Sequence, residues 1–322
     1  MSQRIDISYK TIVFIAVFIL GLILLYLIRD LLLILFASII LMSALHPLVK
    51  LLTKKRLPKI LVITVIYVVI LTILIGMIAS IFPTLIEQTN RLIVTLPGLV
   101  GKIFNIANID RSLVSSELAD LSKNLFSLTL AAFDNLITFI FLLVLTFYLL
   151  LEHDNLEQRL ATLFVHREER AKELIVEIEE KLGSWLRGQL FLSLIIGLLA
   201  YIGLTLLNIP YSLPLAIIAG FLEVIPVIGP IIAALPAIIV ALTISPVSSL
   251  GVAAMYFIIQ QFENHLIVPQ VMNRAVGLNP LVVILAIAIG SRLLGIAGAL
   301  LAVPIAVVLQ IVVTEVIETK KS

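Results

Sequence analysis

Apolar residues run through this chain in blocks too long to be one face of a soluble helix. Thr11 to Ile28, Leu31 to Leu45, Ile60 to Phe82, Ala131 to Leu151, Leu186 to Leu207 and Leu250 to Val268 are each almost unbroken. Such runs predict membrane-spanning helices, because a hydrocarbon core of about 30 Å takes about 20 apolar residues to cross. Two further runs are interrupted. Glu223 to Ala237 (EVIPVIGPIIAALPA) and Gly290 to Ala306 (GSRLLGIAGALLAVPIA) each place Pro, Gly and an ionisable side chain within apolar sequence. The limbs of the first, Pro214 to Val224 and Pro230 to Thr243, reach roughly 16 and 21 Å at about 1.5 Å per residue, too short to cross alone. They predict a re-entrant hairpin over residues 214–243. The second run predicts another over 280–311, split around Gly295 and Gly298.

The expected class is therefore all-α: a polytopic membrane protein with about six full spans and two broken-helix hairpins. The hairpins share landmarks. Ala216, Gly220, Glu223, Gly229 and Pro236 align, with two small gaps, onto Ala286, Gly290, Arg292, Gly298 and Pro304. This predicts an inverted repeat of the kind from which transporters build sites near the bilayer midplane.

Charge then orients the chain. Lys50 to Lys59 (KLLTKKRLPK) holds five basic residues and no acid. By the positive-inside rule it lies in the cytoplasm, which makes residues 1–59 a two-helix hairpin turning at Arg29 and Asp30, followed by a basic loop. Thr11 to Ile28 exceeds the roughly 7 to 15 apolar residues of a signal peptide, so it is read as a span. Residues 60–151 hold the third and fourth spans around an external amphipathic segment, 83–130, suited to lie on the membrane, cover the chain's own core or mediate self-association. Residues 152–184 form a charged cytoplasmic helix, with Leu174, Ile175, Ile178 and Leu182 on one stripe. Trp185 follows at the expected interface. Residues 185–322 carry the transport core, Arg274 marks a cytoplasmic loop, and Lys320 and Lys321 place the C-terminus inside, as is the N-terminus.

Composition narrows the function. The 322 residues are 61% hydrophobic and 13% charged, with a mean hydropathy of +1.21, outside the range of soluble domains. There is no cysteine, which excludes disulfides, thiolate metal centres and Cys nucleophiles. The four histidines, His46, His153, His166 and His265, have no ligand spacing. Zinc-protease, phosphate-loop and nucleophile-elbow motifs are absent, so no enzyme, metal or cofactor is expected, and any transport is passive or driven by a gradient unless a partner chain supplies the energy. Basic residues are not interleaved with aromatics, so nucleic acid is not a partner.

Ionisable groups within a bilayer are functional candidates by default. Glu223 and Arg292 lie in the two breaks, and Glu263 with Asn264 and His265 ends the intervening span. The expectation is that Glu223 and Arg292 face each other across the hairpin tips, with backbone groups freed around Pro226, Gly229, Gly295 and Gly298 lining a polar cavity, and with Pro236 and Pro304 as further breaks of the hairpins. The pair would equally serve to neutralise itself and fix the register of the hairpins.

IPVIGPIIAALPA, QQFENHLIVPQVMNRAVGLNPLVV and GIAGALLAVPIA together resemble the C-terminal signature of the autoinducer-2 exporter family of bacterial permeases. The resemblance is strongest over residues 180–312. It implies a multi-span inner-membrane transporter, with members associated with export of a furanone-like quorum signal and others with sodium or lithium exchange for protons. The matching positions are Pro226, Gly229, Pro236, Pro269, Gly277, Pro280, Gly295, Gly298 and Pro304, which are structural landmarks rather than assigned ligands. The readings in order are an exporter of a small polar solute, a monovalent cation/proton antiporter, and a non-transporting scaffold in the lipid bilayer.

Overall fold

The computed structural model describes residues 9–73, 75, 76, 79, 136–162, 168–226, 228–242, 244–272 and 277–319. These residues are helical apart from short turns, as the apolar runs predict. In order they are α1 (Tyr9–Leu27), α2 (Arg29–Thr53), α3 (Lys59–Ile73), α4 (Leu136–Thr162), α5 (Glu168–Leu206), α6 (Ser212–Leu222), α7 (Ile228–Leu242), α8 (Pro246–Phe262), a π-helical turn (Glu263–Ile267), α9 (Val268–Met272) and α10 (Pro280–Thr319). Among the described residues, α1, α2, α4, α5 and α10 are long and apolar enough to cross a membrane. Their outward faces expose Phe14, Phe18, Val144, Leu194, Leu198 and Leu293, a surface that suits lipid and not water. The amphipathic segment 83–130, Arg274, His166, Lys320 and Lys321 lie outside the described residues.

The long helix α5 is the spine. At 39 residues it extends about 59 Å, well beyond a hydrocarbon core of about 30 Å. Its buried stripe, Leu182, Trp185, Gln189, Leu192, Ile196, Ala200 and Leu204, recurs every three or four residues and receives α2, α6 and the second hairpin. Pro47 fixes where α2 docks. Having no N–H, it leaves the Ser43 carbonyl without its helical donor. The Arg187 guanidinium of α5 donates instead to the carbonyls of Ser43, at 3.4 Å, and Ala44, at 3.1 Å. Gly183 lets α5 approach that same carbonyl: a Cβ there would overlap Ser43 O.

Both predicted reversals are present. Between α6 and α7 the chain turns after Leu222, through Glu223–Pro226, and Gly229 comes so close to Leu222 that a Cβ would overlap its carbonyl oxygen. The second reversal falls at one residue, Gly295, whose φ of 62° and ψ of −141° suit glycine alone. Residues 280–294 and 296–319 then fold against each other, with Gly290 and Gly298 in mutual backbone contact and Ala302 beside them. In a continuous helix, residues eight apart would lie about 12 Å from each other. Ile225, in the first turn, packs onto the core that Ile287, Ala299, Ala302 and Val303 of the second hairpin build with Leu182 and Trp185.

Several boundaries differ from expectation. No hairpin forms at Arg29 and Asp30: helical hydrogen bonds continue through Ile28, from its N–H to Leu24 O and from Leu32 N–H to its own carbonyl, both at 3.0 Å. The chain bends there, and Arg29 caps the ring of Tyr26 at 4.5 Å. The described residues of the charged stretch 152–184 belong to the end of α4 and the start of α5, the same helices that carry the apolar runs on either side. Trp185 is buried against the second hairpin and is not an interfacial anchor. Pro236 and Pro304 sit inside helices, so the breaks lie between Leu222 and Ile228 and at Gly295 and not at these prolines.

Candidate functional site

Glu223 ends α6, and its side chain is directed inward, 1% exposed. The inward turn is held by Gln189 of α5, whose Nε2 donates to the Glu223 carbonyl at 2.6 Å. One helical turn on, Ser193 meets α6 where the backbones almost touch: a Cβ on Gly220 would stand 2.8 Å from Ser193 O, and one on Gly197 3.3 Å from Gly220 Cα. The small residues Ala216 and Gly220 therefore serve close packing. That approach carries the hairpin tip to Gln189.

The third wall is α8. Its start is capped by Ser245, whose hydroxyl accepts from Ser248 N–H at 3.0 Å. Tyr256, Gln260 and Glu263 recur at steps of four and three, so they share one face, with Tyr256 and Glu263 buried. At Glu263 the helix widens into a π-turn, a device that adds a residue and re-aims side chains. Gln260 Nε2 donates to Glu263 Oε2 at 3.1 Å. Asn264 and His265 point away and are exposed, with His265 Nδ1 turned to Gln261 O at 3.0 Å.

The buried carboxyl groups of Glu223 and Glu263 are near neighbours. Two carboxylates cannot both hold charge so close together in a dry interior, and no cation among the described residues stands beside them. A proton held by one of them relieves that repulsion, and Glu223 Oε2 is left without a hydrogen-bond partner. Three further buried polar atoms, Gln189 Oε1, Ser193 Oγ and Tyr256 OH, also lack partners. Gln189 and Ser193 lie on α5, Glu223 at the end of α6 and Tyr256 on α8, and α5 packs on both α6 and α8. Buried polar groups left unpaired in a native fold call for a ligand, water or proton.

The expected Glu223–Arg292 pair does not form. Arg292 is exposed and has no ion-pair partner among the described residues, because the second hairpin turns three residues later and carries it outward. Nor does the first turn leave its amides free. The N–H groups of Val224, Ile225, Ile228 and Gly229 bond to Phe221, Leu222, Pro226 and Ile225 carbonyls at 3.3, 3.0, 2.8 and 2.9 Å. Side chains, not loosened backbone, supply the polarity of this site. Arg292→Met is accordingly expected to leave transport unchanged and stability within about 0.5 kcal/mol, checked by flux and thermal midpoint together.

Sequence reasoning passed over Gln189, Ser193 and Tyr256. Gln189 was detectable as the one polar member of the α5 stripe, and Tyr256 as lying on one face with Gln260 and Glu263.

Long apolar helices around a hairpin that carries a buried acid define a polytopic membrane transporter. The model of the AI-2E family transporter matches residues 12–318, and the chain belongs to that family. YueF of Bacillus subtilis strain 168 is 29% identical over 293 residues, covering 82% of this chain and 78% of that protein. The AI-2 transport protein TqsA of Escherichia coli strain K12 is 28% identical over 280 residues, 83% of this chain and 80% of its own length. YrrI of Bacillus subtilis strain 168 is 38% identical over 142 residues, a match that spans only 40% of that relative. With bacterial relatives and these helices, the chain is a multi-pass inner-membrane protein.

Proposed function

We propose that this chain is a gradient-driven permease that exports a small polar solute, with the Glu223–Glu263 pair carrying the coupling proton. Gln189, Ser193 and Tyr256 hold the solute. The observation that carries this reading is the coincidence, around α5, of two neighbouring buried carboxyls with buried donor and acceptor atoms that have no partner. A neutral hydroxylated molecule needs such mixed polarity, and the relative TqsA, named for AI-2 transport, makes a furanone-like signal the first candidate.

A second reading, sodium or lithium exchange for protons, is favoured by one specific observation. Arg292 does not neutralise Glu223, so two carboxyls and the oxygens of Gln189 and Ser193 face inward as ligands for a hard cation. Inside-out vesicles separate the two readings. Uptake of a labelled furanone or polyol under a proton gradient supports solute export. Proton movement on adding sodium or lithium supports antiport. Silence under both would sink coupled transport and leave a scaffold.

A further inference from the structure

Four helices converge at a second buried polar cluster among the described residues, which the transport reading does not use. His46 comes from α2, Lys59 from α3, His153 and Asp154 from α4, and Glu179 from α5. His153 is 3% exposed and its ring lies against His46, centroids 3.8 Å apart. Its Nε2 stands 2.8 Å from Glu179 Oε2 and its Nδ1 3.2 Å from Asp154 Oδ1. The ligand atoms of His46, His153 and Asp154 all lie within 4.8 Å of one another.

The geometry points to a transition-metal dication site, of the Zn²⁺ type, formed by His46, His153 and Asp154 with Glu179 behind it. Glu179 is the stronger partner of His153 and fixes Nε2 as the protonated nitrogen. In the neutral tautomer protonated at Nε2, Nδ1 is a lone pair facing Asp154 Oδ1 at 3.2 Å, and a cation between these two acceptors satisfies both. A carboxylate holding the far nitrogen of a metal-binding imidazole is the usual outer support of such sites. The 3.2 Å between His153 Nδ1 and Asp154 Oδ1 fits, since bonds of about 2.0–2.1 Å at tetrahedral angles separate ligand atoms by about 3.3 Å, and His46 closes on them from within 4.8 Å. Neutral stacked imidazoles are the form that binds metal, whereas two imidazolium rings at this distance would repel. Access is from the aqueous side, where the Asp154 side chain is 71% exposed. Lys59 holds the other oxygen, Oδ2, at 2.8 Å, so its ammonium opposes the ion. A bound metal would join α2 to α4 and steady α5, the helix that also presents Gln189 to Glu223.

The test uses the full chain in detergent, stripped with chelator and titrated with Zn²⁺ by calorimetry and with Co²⁺ by visible absorption. Saturable Zn²⁺ binding and the intense absorption of tetrahedral Co²⁺ are expected. His46→Gln and Asp154→Asn, both at the accessible rim, should each weaken binding by about tenfold or more. Lys59→Gln should strengthen it by removing the opposing charge, a change that a purely structural cluster has no reason to show. Absence of saturable binding in the unaltered protein would overturn the proposal and leave His153 as an imidazolium clamped by two carboxylates. Equal affinity in His46→Gln and Asp154→Asn would overturn it as well.

Discussion

Replacing Glu223 by Gln is expected to bring proton-driven net transport down to background while solute-for-solute exchange continues. The substitution is nearly isosteric, and the Gln189 hydrogen bond that seats the hairpin tip goes to the main-chain carbonyl of residue 223, which the change leaves in place. The new amide can donate to Glu263, so the contact between turn and α8 survives. What disappears is the second titratable oxygen pair. With two carboxyls the site can give up a proton as a ligand enters and regain one as it leaves. With one carboxyl and an amide, the remaining Glu263 is tied to a permanent donor, and the exchange stops. Liposomes reconstituted with the variant would distinguish the fluxes: a pH step drives net movement, whereas equal solute on both sides drives counterflow. Wild-type net flux in the variant would mean that the carboxyl pair only holds α6 against α8. Loss of both fluxes with an unchanged thermal midpoint would assign Glu223 to solute binding as well as coupling.

The reversals were readable because Pro and Gly interrupt apolar sequence only at a cost, and the limbs beside Glu223 are too short to span. Which partner Glu223 meets was not readable. Arg292 aligns with it in the internal repeat, yet spacing along a chain does not say which way a side chain leaves a hairpin, and Gly295 turns Arg292 outward. Glu263 stood out as an acid within a span, but its meeting with Glu223 depends on the π-turn, for which ENHLI carries no clear signature. The bend at Ile28 was misjudged for a similar reason. Two charged residues between apolar runs suggest a wet tip, whereas Arg29 is accommodated by the Tyr26 ring without breaking the helix. His46 and His153 are distant in sequence, and only the docking of α2 on α4 brings the rings together.

Gly298→Ala should destabilise the protein by about 2–3 kcal/mol, the cost of forcing volume into a packed interior. A methyl at Gly298 would overlap the Gly290 carbonyl oxygen, and it would also stand 2.7 Å from the carbonyl carbon and 2.8 Å from Leu294 Cβ. Backbone, unlike a long side chain, cannot rotate aside, so the two limbs of the second hairpin must separate. Gly229→Ala meets the same obstacle in the first hairpin, where the Cβ would overlap Leu222 O and lie 3.1 Å from Glu223 N. That variant should lose transport along with stability, because the displaced atoms belong to the turn that delivers Glu223. Gly251→Ala is the internal control. Its nearest neighbour would be Leu207 Cδ2 at 3.8 Å, an ordinary contact, and alanine favours the helix by up to about 1 kcal/mol. Thermal midpoints in one detergent should thus rank Gly251→Ala at or above the parent and both hairpin variants well below it. If all three glycines tolerate alanine alike, the limbs are not in backbone contact, and the first hairpin cannot hold Glu223 where Gln189 and Glu263 reach it.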